Sequence, residues 1–135
     1  MKLIYPAIFT PFEEGEGYTV VVPDLPGCVS EGLTLPEAIE MGTDAASGWI
    51  LDELEDGNPL PKASNINDVC HEEKEIVNLL LLDMDTYAEQ YGNKAVRKNV
   101  TIPAYMETFV INQGLSLSKL LQDIIKEKLL HSASL

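Results

Sequence analysis

At 135 residues and a formal net charge of −13, the chain has room for one ordinary domain, or a small domain plus a smaller module. Cys28 and Cys70 lie far apart and show no CxxC or Cys/His spacing, which argues against a zinc site and for reduced cytosolic thiols. Met1 to Phe12 holds one basic residue and a short apolar run broken by Pro6, too little for a signal sequence or a membrane span, so the chain reads as cytoplasmic. Charge is unevenly spread. Residues 1–93 carry three lysines against nineteen acids, a net of −16, while residues 94–135 carry six bases against three acids, a net of +3. An acidic body with a basic end suggests two partners of opposite charge; solubility alone is the plainer explanation.

The stretch Tyr5 to Phe12 is rich in β-formers and reads as a first strand, with Pro6 tolerated near its start. The acidic, glycine-containing loop Glu13 to Gly17 leads to the β-branched run Tyr18 to Val22, so a hairpin is expected. Pro23-Asp24-Leu25-Pro26-Gly27 is dense in turn residues, and Cys28 to Glu31 reads as a short third strand after that corner.

Thr34-Leu35-Pro36-Glu37 has capping-box spacing and predicts a helix, whose apolar stripe runs through Ala38, Gly42, Ala46 and Ile50 until Gly57 and Pro59 stop it. The small residues Gly42, Ala45 and Ala46 would let this helix lie close to a sheet. Asp52, Glu53, Glu55 and Asp56 crowd its C-terminal end, where the helix dipole disfavours negative charge. They offer a contact to a basic partner, or simply form a solvated helix end.

Residues 58–67 read as a loop. Ile76 to Leu82 is a nearly continuous apolar run of strand length, which predicts a central strand covered on both faces. Asp85 is placed to cap a brief helix ending at Gly92-Asn93.

In the basic end, Val100 and Ile102 alternate with Arg97, Asn99 and Thr101, so an extended strand would place the two sets on opposite faces. Pro103 suits the first position of a following helix, Gly114 its left-handed terminus, and Ser116 the N-cap of a last helix with Leu117, Leu120, Leu121, Ile124 and Ile125 on its stripe. One strand and two helices cannot bury a core alone, so this module is expected to dimerise. Two strands would pair antiparallel, with Val100, Ile102, Phe109, Leu120 and Ile124 in the shared core.

The pattern Asn99-Val100-Thr101-Ile102-Pro103, Gly114 and Ser116-Leu117-Ser118 resembles the ribbon-helix-helix DNA-binding family. The resemblance implies that the paired ribbon enters the major groove, with Arg97, Asn99 and Thr101 reading bases and Ser116, Leu117, Ser118 and Lys119 holding phosphate. Leu117 stands where relatives often carry a basic residue. An ordinary polar strand face is the bland alternative for Arg97, Asn99 and Thr101.

A second resemblance covers the front of the chain. The run from Tyr18 to Gly32, followed by Glu37-Ala38 and Asp56-Gly57-Asn58-Pro59-Leu60-Pro61, is similar to the HicB antitoxin family. This implies an α+β fold: a small N-terminal sheet with one main helix, truncated ribonuclease-H-like, over residues 1–93, then a ribbon-helix-helix module over 94–135. It further implies an antitoxin that neutralises a small basic HicA-type RNA-cleaving toxin and represses its own operon by binding operator double-stranded DNA. The expected assembly is a homodimer, with a tetramer left open. Asp24 and the acids Asp52, Glu53, Glu55 and Asp56 are the candidate toxin contacts; for Asp24, turning the chain is an adequate job by itself.

Catalysis is not expected. Metal-dependent phosphodiester cleavage needs carboxylates converging on a cation, and the strand interiors here are apolar. No catalytic residue, metal ligand or cofactor is assigned. The rival reading is a free-standing ribbon-helix-helix repressor whose N-terminal domain senses a ligand or oligomerises.

Overall fold

The computed structural model describes residues 1–92 and 97–133, with side chains to His131. The chain divides into two compact units, Met1–Gly92 and Asn93–Leu135.

In the first unit, strands β1 (Lys2–Pro11), β2 (Tyr18–Val21) and β3 (Val29–Gly32) form an antiparallel meander. Helix α1 (Leu35–Glu55) follows, then β4 (Ile76–Asp83) and the short helix α2 (Met84–Tyr91). The sheet order is β3-β2-β1-β4, with β4 antiparallel to β1. The expected hairpin, corner and main helix are therefore all present, within a residue or a few at their ends.

α1 begins where the sequence placed it. The Thr34 hydroxyl accepts from the Glu37 amide at 3.2 Å, and the Glu37 carboxylate accepts from the Leu33 amide at 3.2 Å, one residue before the usual return contact. The helix lies on one face of the sheet. A Cβ built on Gly42 would stand 2.8 Å from Val20 Cγ1, so only glycine permits this approach. Beneath it Tyr5, Ala7, Phe9, Val20, Leu80 and Leu82 are buried, and Ala38, Ala46 and Ile50 close the core from the helix side.

Two expectations are corrected here. β4 is an edge strand, not a central one, because β1 takes the middle and β4 pairs with β1 alone. Its alternate residues Leu80 and Leu82 are buried, whereas Leu79 and Leu81 are exposed. The cap of α2 is Asp83, whose Oδ1 accepts from the Thr86 amide at 3.3 Å; Asp85 instead meets the Met1 ammonium.

The second unit contains helices α3 (Ala104–Asn112) and α4 (Leu117–Ala133). Pro103 is the N-cap of α3 and not its first helical residue, a shift of one position; its carbonyl accepts from the Met106 amide at 3.0 Å. Gly114 takes φ +65°, and the paired bonds from Gly114 to the Ile111 carbonyl and from Leu115 to the Val110 carbonyl, both 3.0 Å, end the helix in a Schellman motif. The Ser116 hydroxyl accepts from the Lys119 amide at 3.3 Å and caps α4 as expected. Residues 97–103 form no strand ladder with other described residues. Asn93 to Val96, which includes the expected start of the module at Lys94, lies outside the described residues.

Candidate functional site

The residues expected to act are divided between the two units. In the second unit Arg97, Asn99 and Thr101 are all exposed. Between them Val100 is also exposed, and Ile102 is half-buried. Val100 and Ile102 belong to an apolar groove of about 740 Å³, which Met106 and Phe109 of α3 and Leu120 and Ile124 of α4 also line. All five residues expected in a dimer core thus converge on one groove. They are not buried within the chain: Phe109 is 60% exposed.

The phosphate set is placed less simply. Leu117 sends its side chain into the apolar groove, so its backbone alone remains to meet a phosphate. The Lys119 ammonium lies 3.1 Å from Asp123 Oδ1, one turn along α4. Both partners of this pair are well exposed, which makes it weak and easily exchanged for a stronger anion.

In the first unit Asp24 has a structural task. Its two carboxylate oxygens accept from the Ser64 amide at 2.8 Å and the Ser64 hydroxyl at 2.6 Å, fastening the corner after β2 to the segment beyond α1. Nearby, Tyr5 donates to the Pro61 carbonyl at 2.6 Å and the Trp49 indole donates to the Pro26 carbonyl at 3.0 Å. Burial, with the Asp24 charge as a smaller contribution, pushes the Tyr5 hydroxyl above the ordinary tyrosine range and keeps it a donor. At the end of α1, Asp52, Glu55 and Asp56 are exposed and Glu53 is half-buried, with no basic residue in the last turn. Among the described residues no three or more His, Cys, Asp or Glu side chains are arranged to hold a metal ion.

A further surface was missed by reading the sequence. α1 covers one face of the sheet, and strand alternation together with the register defines the opposite one. On it Val29, Val21, Ile8 and Val77 stand opposite one another in a single row across all four strands. Pro6 beside Leu79 and Ile4 beside Leu81 form two further rows, in which Pro6 is itself buried. Ile4 is 50% exposed, Leu79 43% and Leu81 56%. The band is bounded at one end by Thr10, Thr19 and Glu31, and at the other by Lys2 and Asp83. The apolar run 76–82 was the signal available in the sequence. That run predicts a strand buried on both sides, and the fold buries Leu80 and Leu82 but leaves Leu79 and Leu81 exposed.

Comparison with known proteins identifies relatives of this architecture. The model of the family described as "HicB_like antitoxin of bacterial toxin-antitoxin system" matches residues 5–122. An uncharacterized 14.9 kDa protein from the rep-hol intergenic region of Haemophilus phage HP1 is 36% identical over 91 residues, 67% of this chain and 68% of that protein. Among solved structures, the antitoxin HicB of Burkholderia pseudomallei is 26% identical with a TM-score of 0.55, covering 91% of this chain and 96% of its own. A toxin-antitoxin complex from Streptococcus pneumoniae contains a chain that is 24% identical with a TM-score of 0.60, covering 95% of this chain and 99% of that one. The latter likeness concerns the fold.

Proposed function

Since the chain belongs to the HicB-like antitoxin family of bacterial toxin-antitoxin systems, we propose that its two units divide an antitoxin's work. Residues 1–93 bind and neutralise a small basic HicA-type RNA-cleaving toxin, and residues 94–135 dimerise, bind operator DNA and repress the operon. The observation that carries the second half is the alternation in 97–102: Arg97, Asn99 and Thr101 are exposed, while Val100 and Ile102 belong to the apolar groove. A second copy supplies a strand and a groove of the same kind, closing a two-stranded ribbon over a shared core. Six outward side chains then face the major groove, where arginine pairs with guanine, asparagine with adenine, and threonine with either an acceptor or a thymine methyl. The capped start of α4 supports phosphate contact, with the Lys119 ammonium released from Asp123.

The toxin half is supported by the solved relatives and by charge. The net of −16 over residues 1–93 favours a basic protein over nucleic acid as that unit's partner. The truncated ribonuclease-H-like description of this unit is supported by one main helix on one face of a small sheet.

The test is an anisotropy titration of the full chain against its own promoter at fixed salt, with and without the toxin encoded in the adjoining reading frame. Operator binding that survives excess unrelated DNA, together with a stable complex with the toxin, is expected. A chain that binds neither would refute the assignment.

A further inference from the structure

The open face of the first unit's sheet departs from what an antiparallel sheet usually shows to water. Such sheets commonly alternate apolar inward and polar outward. Here the outward positions of β1 and β4 are Ile4, Pro6, Ile8, Val77, Leu79 and Leu81, of which Pro6 is buried among its neighbours, Ile8 and Val77 are half-buried and Ile4, Leu79 and Leu81 are exposed. The polar residue inside the β4 run, Asn78, falls on the other side, opposite the buried Ala7. The result is a contiguous apolar band of the type that marks an interaction surface in a folded protein.

The border of this band is acidic. Glu31 closes it along β3, Asp83 stands at the end of β4, and Glu75 lies just before β4 with its carboxylate accepting from the Thr10 hydroxyl. The Glu72 amide, and then that hydrogen bond, hold the Glu75 carboxyl below its ordinary range, so it remains charged at neutral pH. Lys2 opposes the three acids from beside Asp83. An apolar centre with a charged rim is the anatomy of a protein interface, and the sign of the rim selects the partner.

Resting on the antitoxin reading above, we propose that this open sheet face, and not the acidic end of α1, is where the first unit receives its toxin, a basic protein presenting an apolar patch ringed by lysine or arginine. Two arguments decide between occupants. A second copy would bring another acidic rim and another unit of net −16 against the first, and like charges so placed oppose association. The end of α1 has charge but no apolar centre: Asp52, Glu55 and Asp56 are exposed, and around them Ile50 and Leu51 are buried in the core. Without an anchor that can be desolvated, rim charges steer association and contribute little affinity.

The experiment is calorimetry and stopped-flow binding of the full-length protein to the toxin from the adjoining reading frame. Leu79→Lys/Leu81→Lys should weaken binding by roughly thirty-fold or more, the loss of a hot-spot pair. Glu31→Lys, at an exposed edge position where folding is not at stake, should lower the association rate about three-fold, with an effect that fades at high salt. Asp52→Lys/Asp56→Lys should change affinity less than about two-fold. If the double lysine variant keeps its thermal melt and binds as tightly as the wild type, or if it lowers the oligomeric mass of the free protein in sedimentation, the assignment of this face to the toxin is overturned. Loss of binding confined to the α1 variant would overturn it equally. Should the double variant not fold, Glu31→Lys decides, and an unchanged association rate counts against the proposal. A wild-type chain that does not bind the toxin at all breaks the antitoxin reading itself, a result distinct from any of these.

Discussion

The two units solve the problem of burial in opposite ways. Residues 1–92 enclose Phe9, Leu25, Ile50, Leu80 and Leu82 almost completely, between a four-stranded sheet and a 21-residue helix. In the second unit no residue from 97 to 131 is buried, although Val100, Phe109, Leu120 and Ile124 share one groove. One unit has a core of its own and an apolar face to spare. The other has half a core, as expected for about forty residues that cannot remove enough surface from water by themselves. On the function proposed above, the difference separates two kinds of partner: a toxin for the acidic unit, which has a core without it, and a second copy for the basic one, which does not.

The largest effect is expected where that dependence is complete. Val100→Asp should abolish the dimer, because a closed ribbon cannot cheaply bury an unpaired carboxylate, while the first unit keeps its melting transition. Light scattering should give a monomer mass; a monodisperse dimer would refute the strand pairing and, with it, the contrast between the units.

Arg97→Ala addresses function within the basic unit. It should weaken operator binding by about 1–3 kcal/mol and relax sequence preference, with toxin neutralisation unchanged. Anisotropy at fixed salt measures the first, and a growth-rescue assay the second. Equal loss of both activities would show that the units do not act separately.

Within the acidic unit, Gly42→Ala probes the seat of α1 on the sheet. The added methyl meets Val20 at 2.8 Å, and the shift it forces should destabilise the protein by about 1–3 kcal/mol in chemical denaturation. Operator affinity should not change.

The smallest effect concerns pH. The Glu75 carboxyl is held below its ordinary range by the Glu72 amide and then by the Thr10 hydroxyl, so its stabilising contribution is present above the unfolded value, near about 4.3, and is lost as pH falls through the lower folded value. Glu75→Gln should therefore be less stable than wild type at neutral pH, and the two should converge on acidification. Melting curves across that range check the convergence, and a constant gap would contradict it.

Features governed by local chemistry were legible in the sequence. Thr34 and Glu37 form their capping pair, Gly114 takes the left-handed position at the end of α3, and Ser116 caps α4, because each depends on groups only a few residues away. Asp85 and Pro103 were each misplaced by one or two positions, since neighbouring residues of similar capacity compete for a helix start. The misreading of Ile76 to Leu82 was of another kind. A run of seven residues records that apolar surface exists on both sides of a strand, but says nothing about which strand will lie beside it or whether anything covers the second side.

The sequence by itself determined the elements, their caps, the acidic-to-basic division of charge, and the shortage of core in the last forty residues, all of them local or additive properties. Tertiary structure alone decided that β1 takes the centre and β4 the edge, and that Val29, Val21, Ile8 and Val77 align across four strands. It also decided that Asp24 fastens a loop forty residues away. Register and strand order arise from pairings between distant segments, and no local pattern encodes them.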